Sequence, residues 1–188
     1  MRNPVALGRS CGTCTQCCKA LEVAPLNKPA GVWCAHCKPG VGCAIYSERP
    51  RECGSFFCDY LTNPSLGEEW RPSQSKLVVT SELDHNRIAV YVDPQRPDAW
   101  KQEPYYSRLK QWAAAAVPHR GQVLACVGGR TTVVFPDREV DLGVVGEDEL
   151  IVTSERTTPF GVELNASKIR KDDPRASALP RYDGKQRA

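Results

Sequence analysis

The sequence predicts an α+β fold: an irregular, cysteine-rich head docked on a small antiparallel sheet with one covering helix. Three observations carry this. Of ten cysteines in 188 residues, nine lie between Cys11 and Cys58 and only Cys126 lies elsewhere. After Trp70 come short β-rich runs joined in pairs by polar or glycine links. A single stretch, 104–117, repeats its apolar residues at helical spacing. Hydrophobic content of 41 % is enough for a core. The boundaries expected are 1–69 for the cysteine-cluster module, 70–166 for the body and 167–188 for a disordered charged tail.

Residues 1–10 read as an irregular lead-in. "CTQCCKALEV" is a candidate for a short helical turn, and "NKPAGVWCAHCKPGVGC" is a loop by its proline and glycine content. "IYSERPRECGSFFCDYL" opens a helix near Pro50, with Ser47 or Glu48 at its start. In the body, "KLVVTSEL" (76–83) and "RIAVYVD" (87–93) form a hairpin, with Ile88, Val90 and Val92 alternating onto one face. Pro104 starts a helix whose apolar stripe is Tyr105, Leu109, Trp112 and Ala116. "QVLACV" and "TTVVFP" make a second hairpin around Gly128–Gly129, and "ELIVTSE" and "FGVELN" supply edge or closing strands. The sheet is expected to hold four to six strands.

Charge and targeting narrow the function classes. The formal net charge is +3, and residues 170–188 alone carry six Lys/Arg against three Asp, so the tail accounts for the excess. The rest is neutral, which leaves nucleic acid a poor candidate partner. No apolar run is long enough to span a bilayer, so no membrane association is expected. "MRNPVALGRSC" has no apolar segment before the first cysteine and does not read as a secretory signal. The expectation is therefore a cytoplasmic protein, where structural disulfides rarely persist.

The cysteine spacing points to metal. Cys11, Cys14 and Cys17 form C-x2-C-x2-C with Cys18 appended; Cys34 and Cys37 form C-x2-C, with Cys43 six residues on; Cys53 and Cys58 form C-x4-C. Two-residue gaps let both thiolates converge on one ion while backbone N–H groups point at the sulfurs, as in zinc knuckles and iron–sulfur loops alike. Nine thiols can furnish two four-ligand zinc sites with one to spare, or a [4Fe–4S] cluster with free cysteines left over. Lys19, Lys38, Arg49 and Arg51 would offset thiolate charge. The spacing leaves zinc and iron both open.

These motifs also resemble the YkgJ-like cysteine-cluster family, described as a zinc- or iron-chelating domain. The resemblance is carried by C-x2-C-x2-C-C at Cys11–Cys18. It is carried too by C-x-I-Y-x2-R-P-x2-C-x2-F-x-C, matched by Cys43, Ile45, Tyr46, Arg49, Pro50, Cys53, Phe56 and Cys58. It covers about residues 10–62. It implies a ligand pool of Cys11, Cys14, Cys17, Cys18, Cys34, Cys43, Cys53 and Cys58, binding zinc or iron. Cys37 falls where similar sequences have an aliphatic residue, so it is set aside with His36 and Arg49 as additional or supporting candidates. The related flagellin lysine-methylating enzymes share the cysteine signature and are associated with an iron–sulfur cluster. They are much longer, and this chain has no methyl-donor glycine loop.

Other candidates have simpler readings. Cys126 sits in an apolar strand as a buried inert thiol. His85 and His119 are expected to be exposed. Trp33, Tyr46, Phe56, Phe57 and Tyr60 are expected to cover the metal site and dock it to the sheet. No G-x-S-x-G, phosphate-cradling loop or H-E-x2-H is present, and no catalytic residue is assigned. The function expected is therefore a metal-binding protein. An iron–sulfur enzyme or accessory factor acting on a protein or peptide, and a metal-stabilised interaction module using the tail on a protein partner, are the alternatives.

Overall fold

The computed structural model describes residues 5–6, 8–159 and 161–178. Its head contains little regular structure. Helix α1 (Cys17–Ala20) is one turn, β1 (Cys37–Lys38) and β2 (Gly42–Cys43) pair as a miniature ribbon, and α2 (Arg51–Ser55) and α3 (Asp59–Thr62) follow. Pro50 caps α2 directly, so the helix starts later than Ser47 or Glu48: its extended ψ of 149° lies outside the helical region. A bridge between Val23 and Lys28 closes the turn after α1, with Asn27 in the left-handed region at φ 48°.

The lead-in is tied to the far end of the head. Ala6 N–H donates to the Leu61 carbonyl at 2.7 Å. The Arg9 guanidinium donates to the carbonyls of Tyr60, Asn63 and Leu66 and lies over the Tyr60 ring. Helix C-termini leave carbonyls unsatisfied, and here one arginine satisfies those at and beyond α3.

Helix α4 (Pro72–Ser75) leads into the body. The main sheet has five strands in the order β3 (Leu77–Glu82), β4 (Arg87–Val92), β5 (Gln122–Val127), β6 (Arg130–Val134) and β7 (Glu139–Val144). The β3–β4 and β5–β6 hairpins are those expected. One pair departs from a purely antiparallel sheet: β4 and β5 run parallel, because α5 (Tyr105–Ala116) forms a crossover between them. Strand β7 has no counterpart in the sequence reading. Its "EVDLGV" mixes charges with apolar residues at an edge, and Gly143 sits at φ 66° beside a register shift at Thr131/Thr132.

Alternation along the strands divides two apolar layers. Val90, Val92, Val123, Ala125 and Val134 pack with Leu109 and Ala113 of α5. The buried stripe is thus centred on Leu109 and Ala113, with Tyr105, Trp112 and Ala116 at its borders. Trp70 joins the head to this layer, stacked edge-on to Tyr105 at 5.0 Å and tilted on Trp112 at 5.1 Å. On the opposite face, Ala89, Leu124, Val133 and Phe135 pack under Ala166, Ile151 and Leu164.

Those last residues belong to a second ribbon, β8 (Glu149–Thr158) and β9 (Gly161–Arg170). The strands expected at the edge of the main sheet instead form their own antiparallel pair laid across its face. Residues 167–170, expected in the tail, are strand: Ile169 is only 9 % exposed, which anchors the end of β9. Pro174–Ala178 then form a turn of 3-10 helix, and residues 179–188 of the expected tail lie outside the described residues. Among the described residues no helix is long and apolar enough to cross a membrane.

Candidate metal centre

Backbone hydrogen bonds draw the cysteine motifs together. Cys14 N–H donates to the Cys11 carbonyl at 2.8 Å, closing the first knuckle, and Cys37 N–H donates to Cys34 at 3.0 Å, closing the second. The two are joined by Cys34 N–H on the Cys18 carbonyl at 3.0 Å and by Gly40 N–H on Thr15 Oγ1 at 3.0 Å. The β1–β2 ladder sets Cys37 opposite Cys43. Cys53 rides on α2, and Cys58 caps α3.

Several of these thiols bear on one another electrostatically. Burial raises Cys58 to about 11, with Cys11 and Cys14 adding to the rise. Burial also raises Cys11, helped by Cys14 and Cys18 and opposed by Arg49. A hydrogen bond with Cys17, then burial and the Cys17 charge, push Cys18 far above the usual thiol range, opposed by Cys37 and Lys28. Burial and then Cys18 bring Cys37 to about 11. Cys53 is raised by burial, then by Cys18, Cys34 and Cys43. Hydrogen bonds and the β1–β2 ladder thus tie the first and second cysteine motifs to one another, Cys37 included. Nine cysteines of the head and Cys126 are all free thiols.

The thiols are close but not in place. Among the described residues, no group of three or more His, Cys, Asp or Glu side chains is already arranged to hold a metal ion. His36 is exposed, and its carbonyl accepts from Ala44 N–H at 2.8 Å. Arg49 stacks on the Tyr46 ring at 3.6 Å and lies near Cys11, which fits charge compensation. His85 and His119 are exposed as expected. Cys126 is half-buried in β5 with its sulfur 3.9 Å from Thr131 Oγ1, away from the head thiols in the electrostatic pattern, and burial raises it to about 11.

The docking residues differ from those expected. Tyr60 and half-buried Phe56 do pack on the core, but Tyr46, Phe57 and Trp33 are 68 %, 38 % and 36 % exposed. The junction is instead polar. Lys19, next to Cys18, is buried and pairs with Asp93 beyond β4, which also accepts from Gln16 Nε2 at 3.0 Å. Lys19 is thus occupied by a carboxylate, and the buried cation among the thiols is Lys28, which the sequence reading passed over. The bridge at Val23 and the left-handed Asn27 fold its stem inward; "PLNK", a proline and an asparagine two residues apart, was the turn signal available. A cleft of about 1160 Å³ lies between the β8–β9 ribbon and the sheet and includes no cysteine in its lining.

Comparison with known proteins gives no match: no family model matches the chain, and no curated protein or solved structure is significantly similar to it.

Proposed function

We propose that the chain is a cytoplasmic metal-binding protein whose cysteine head ligates zinc or an iron–sulfur cluster. The observation that carries this reading is the crowding of nine free thiols from three sequence motifs into one small head. The donor chemistry fits: soft thiolates in this number select zinc or iron–sulfur, and they suit magnesium or calcium poorly. The resemblance of the two motifs to the YkgJ-like family supports the same reading.

The head also needs such a group. Its helices span only four or five residues each, and hairpins and turns of this size are marginal alone. A bound metal supplies folding free energy on the order of 10 kcal/mol. Cys11, Cys14, Cys17, Cys18, Cys34, Cys43, Cys53 and Cys58 would hold it, with Cys37 an additional candidate. Because the thiols stand near one another without ligating geometry, binding draws them inward and displaces their protons, as sites coupled to folding do.

Anaerobic purification followed by elemental analysis and a visible spectrum tests this. A colourless protein with about two zinc ions, or a brown one with iron and labile sulfide, is the expected outcome and tells the two apart. Protein that takes up neither, after reduction and supply of both metals, overturns the reading.

A further inference from the structure

The outer edge of β8 is unpaired. A two-residue link joins Thr158 to Gly161, and in such a hairpin the flanking residues exchange both ladder hydrogen bonds. Counting back in twos, the N–H and C=O groups of Ser154, Val152 and Leu150 face β9, and those of Glu155, Thr153 and Ile151 face away. Two contacts agree with this parity. Glu149 N–H donates to the Gly146 carbonyl at 3.0 Å, and the Ile151 carbonyl accepts from Gln122 Nε2 at 3.2 Å. Among the described residues, the N–H groups of Ile151, Thr153 and Glu155 and the carbonyls of Thr153 and Glu155 have no hydrogen-bond partner.

Free edges are ordinarily blocked, because they invite another strand. The main sheet is blocked at β3, where Ser81 N–H donates to Asp59 Oδ1 at 3.1 Å and Leu77 N–H to Ser75 Oγ at 3.1 Å. Strand β8 has no such cover beyond Gln122. Its edge instead borders the cleft of about 1160 Å³, which six consecutive residues, 150–155, line. A strand edge shows every residue in this way, whereas one face shows every second. Asp84 and His85 of the β3–β4 turn, and Lys171, Pro174 and Ser177 beyond β9, also line the cleft. Its volume exceeds the about 300–1,000 Å³ usual for a small-molecule pocket. A bounded space of this kind accommodates a lone strand more readily than the edge of a second folded copy.

Charge narrows the occupant. In the lining, Arg87, Asp172 and Asp173 are ion-paired, and Arg120 has a partner. Asp84, Glu155 and Lys171 form no ion pair among the described residues. Two uncompensated carboxylates against one ammonium favour basic side chains on the incoming strand.

We propose that β8 is a peptide-docking edge: an extended segment of a partner protein, about five residues long and carrying basic side chains, adds to residues 151–155 as a third strand of the ribbon. Main-chain hydrogen bonds to Thr153 and Glu155 supply affinity, and Asp84 and Glu155 select for positive charge. The cleft lies apart from the cysteine head, and the inference does not depend on bound metal.

The probe is a library of random heptapeptides displayed on phage and selected on the full chain, with enriched sequences resynthesised and titrated by fluorescence anisotropy. Enriched peptides should carry Lys or Arg, and amide hydrogen exchange at Ile151, Thr153 and Glu155 should slow on binding. N-methylation along the peptide should weaken binding at every second residue and spare the residues between, which is the period of a strand. Thr153→Pro removes one outward N–H and leaves the ladder to β9 intact, as edge positions allow. It should weaken binding by about tenfold. If that variant fails to fold, the N-methyl pattern on the unaltered protein decides. No enriched peptide, acidic peptides alone, binding without the period of two, or unprotected edge amides each overturns the inference. Slow exchange at these amides before any peptide is added overturns it too, since the chain or a second copy then already covers the edge.

Discussion

Lys19 Nζ lies 2.5 Å from Asp93 Oδ1, with the two side chains only 4 % and 7 % exposed. The pair spans the join between the head and the sheet. Lys19 also donates to Gln95 Oε1 at 2.8 Å, and Gln95 N–H donates back to Asp93 at 2.9 Å. Burial alone would raise the Asp93 carboxyl, but the hydrogen bonds from Lys19, Gln95 and Gln16 outweigh it and hold the group below its ordinary value. Such a pair orients two units more than it adds net stability, because desolvation offsets much of the attraction.

Asp93→Asn should therefore be harmful out of proportion to its size. It leaves the Lys19 ammonium buried without a counter-charge and should cost about 3 kcal/mol in urea unfolding. Replacing both partners, as Lys19→Met with Asp93→Leu, should recover much of that loss. A double variant as unstable as the single one would contradict this account.

Gly31 marks another close approach of head to body. Its φ is +80°, and an added Cβ would stand 2.8 Å from Pro94 Cγ and 3.1 Å from Gly128 Cα. Gly31→Ala should destabilise by more than about 1 kcal/mol, since backbone strain and contact with main chain act together. Gly40, also at positive φ but with nothing within 4 Å, isolates the strain component. Thermal unfolding of Gly31→Ala and Gly40→Ala side by side should show the larger shift for Gly31.

Thiol replacement separates ligand candidates from Cys126. Cys14→Ser and Cys53→Ser should each remove most of the metal content and disorder the head by amide NMR. Cys126→Ser should keep the metal and cost about 1 kcal/mol. Equal losses at all three positions would contradict the ligand assignment. Chelation of the unaltered protein should reproduce the first pattern.

The pH dependence of the body is set partly by Glu139. Burial works to raise its carboxyl, but hydrogen bonds from Lys110 and Tyr106 prevail, and it lies below the usual carboxylate value; the Lys110 contact is 2.7 Å. With the folded value depressed, the stabilisation is complete above the unfolded value of about 4.3. It fades as pH falls through the lower folded value. Glu139→Gln should lower stability by about 1 kcal/mol at neutral pH and flatten the acid limb of denaturation. An acid limb as steep as that of the unaltered protein would exclude this role.

Local periodicity made much of the body legible. Val90 and Val92, or Val123 and Ala125, alternate because strands do, and Leu109 falls on a helical stripe. Strand β7 escaped although Val140 and Leu142 alternate with Glu139 and Asp141 and pack on the core, because the alternation is only two apolar residues long before Gly143. The placement of β8 and β9 escaped because packing a ribbon across a sheet depends on contacts such as Ile151 and Ala166, distant in sequence from Leu124. In the head, the cysteines announced themselves by spacing, and the resemblance extended the set to distant positions. The charges did not: Lys19 and Lys28 look alike in sequence, yet one meets Asp93 and the other donates to the carbonyls of Lys19 and Leu21. That difference arises from the turn at Asn27 and from a carboxylate more than seventy residues away.

The grip of Arg9 on the carbonyls of Tyr60 and Leu66 closes loops of 51 and 57 residues. Closing a loop of that length costs about 3.5 kcal/mol in chain entropy, and that cost must be met before the contacts it permits are gained. The β3–β4 and β8–β9 hairpins close over far shorter spans. On a chain made from its N-terminus, the head is synthesised first but is completed late, after Leu66 and then Asp93 have emerged. The Arg9 clasp is thus among the last ties of the head that synthesis permits, although Arg9 itself is among the first residues made.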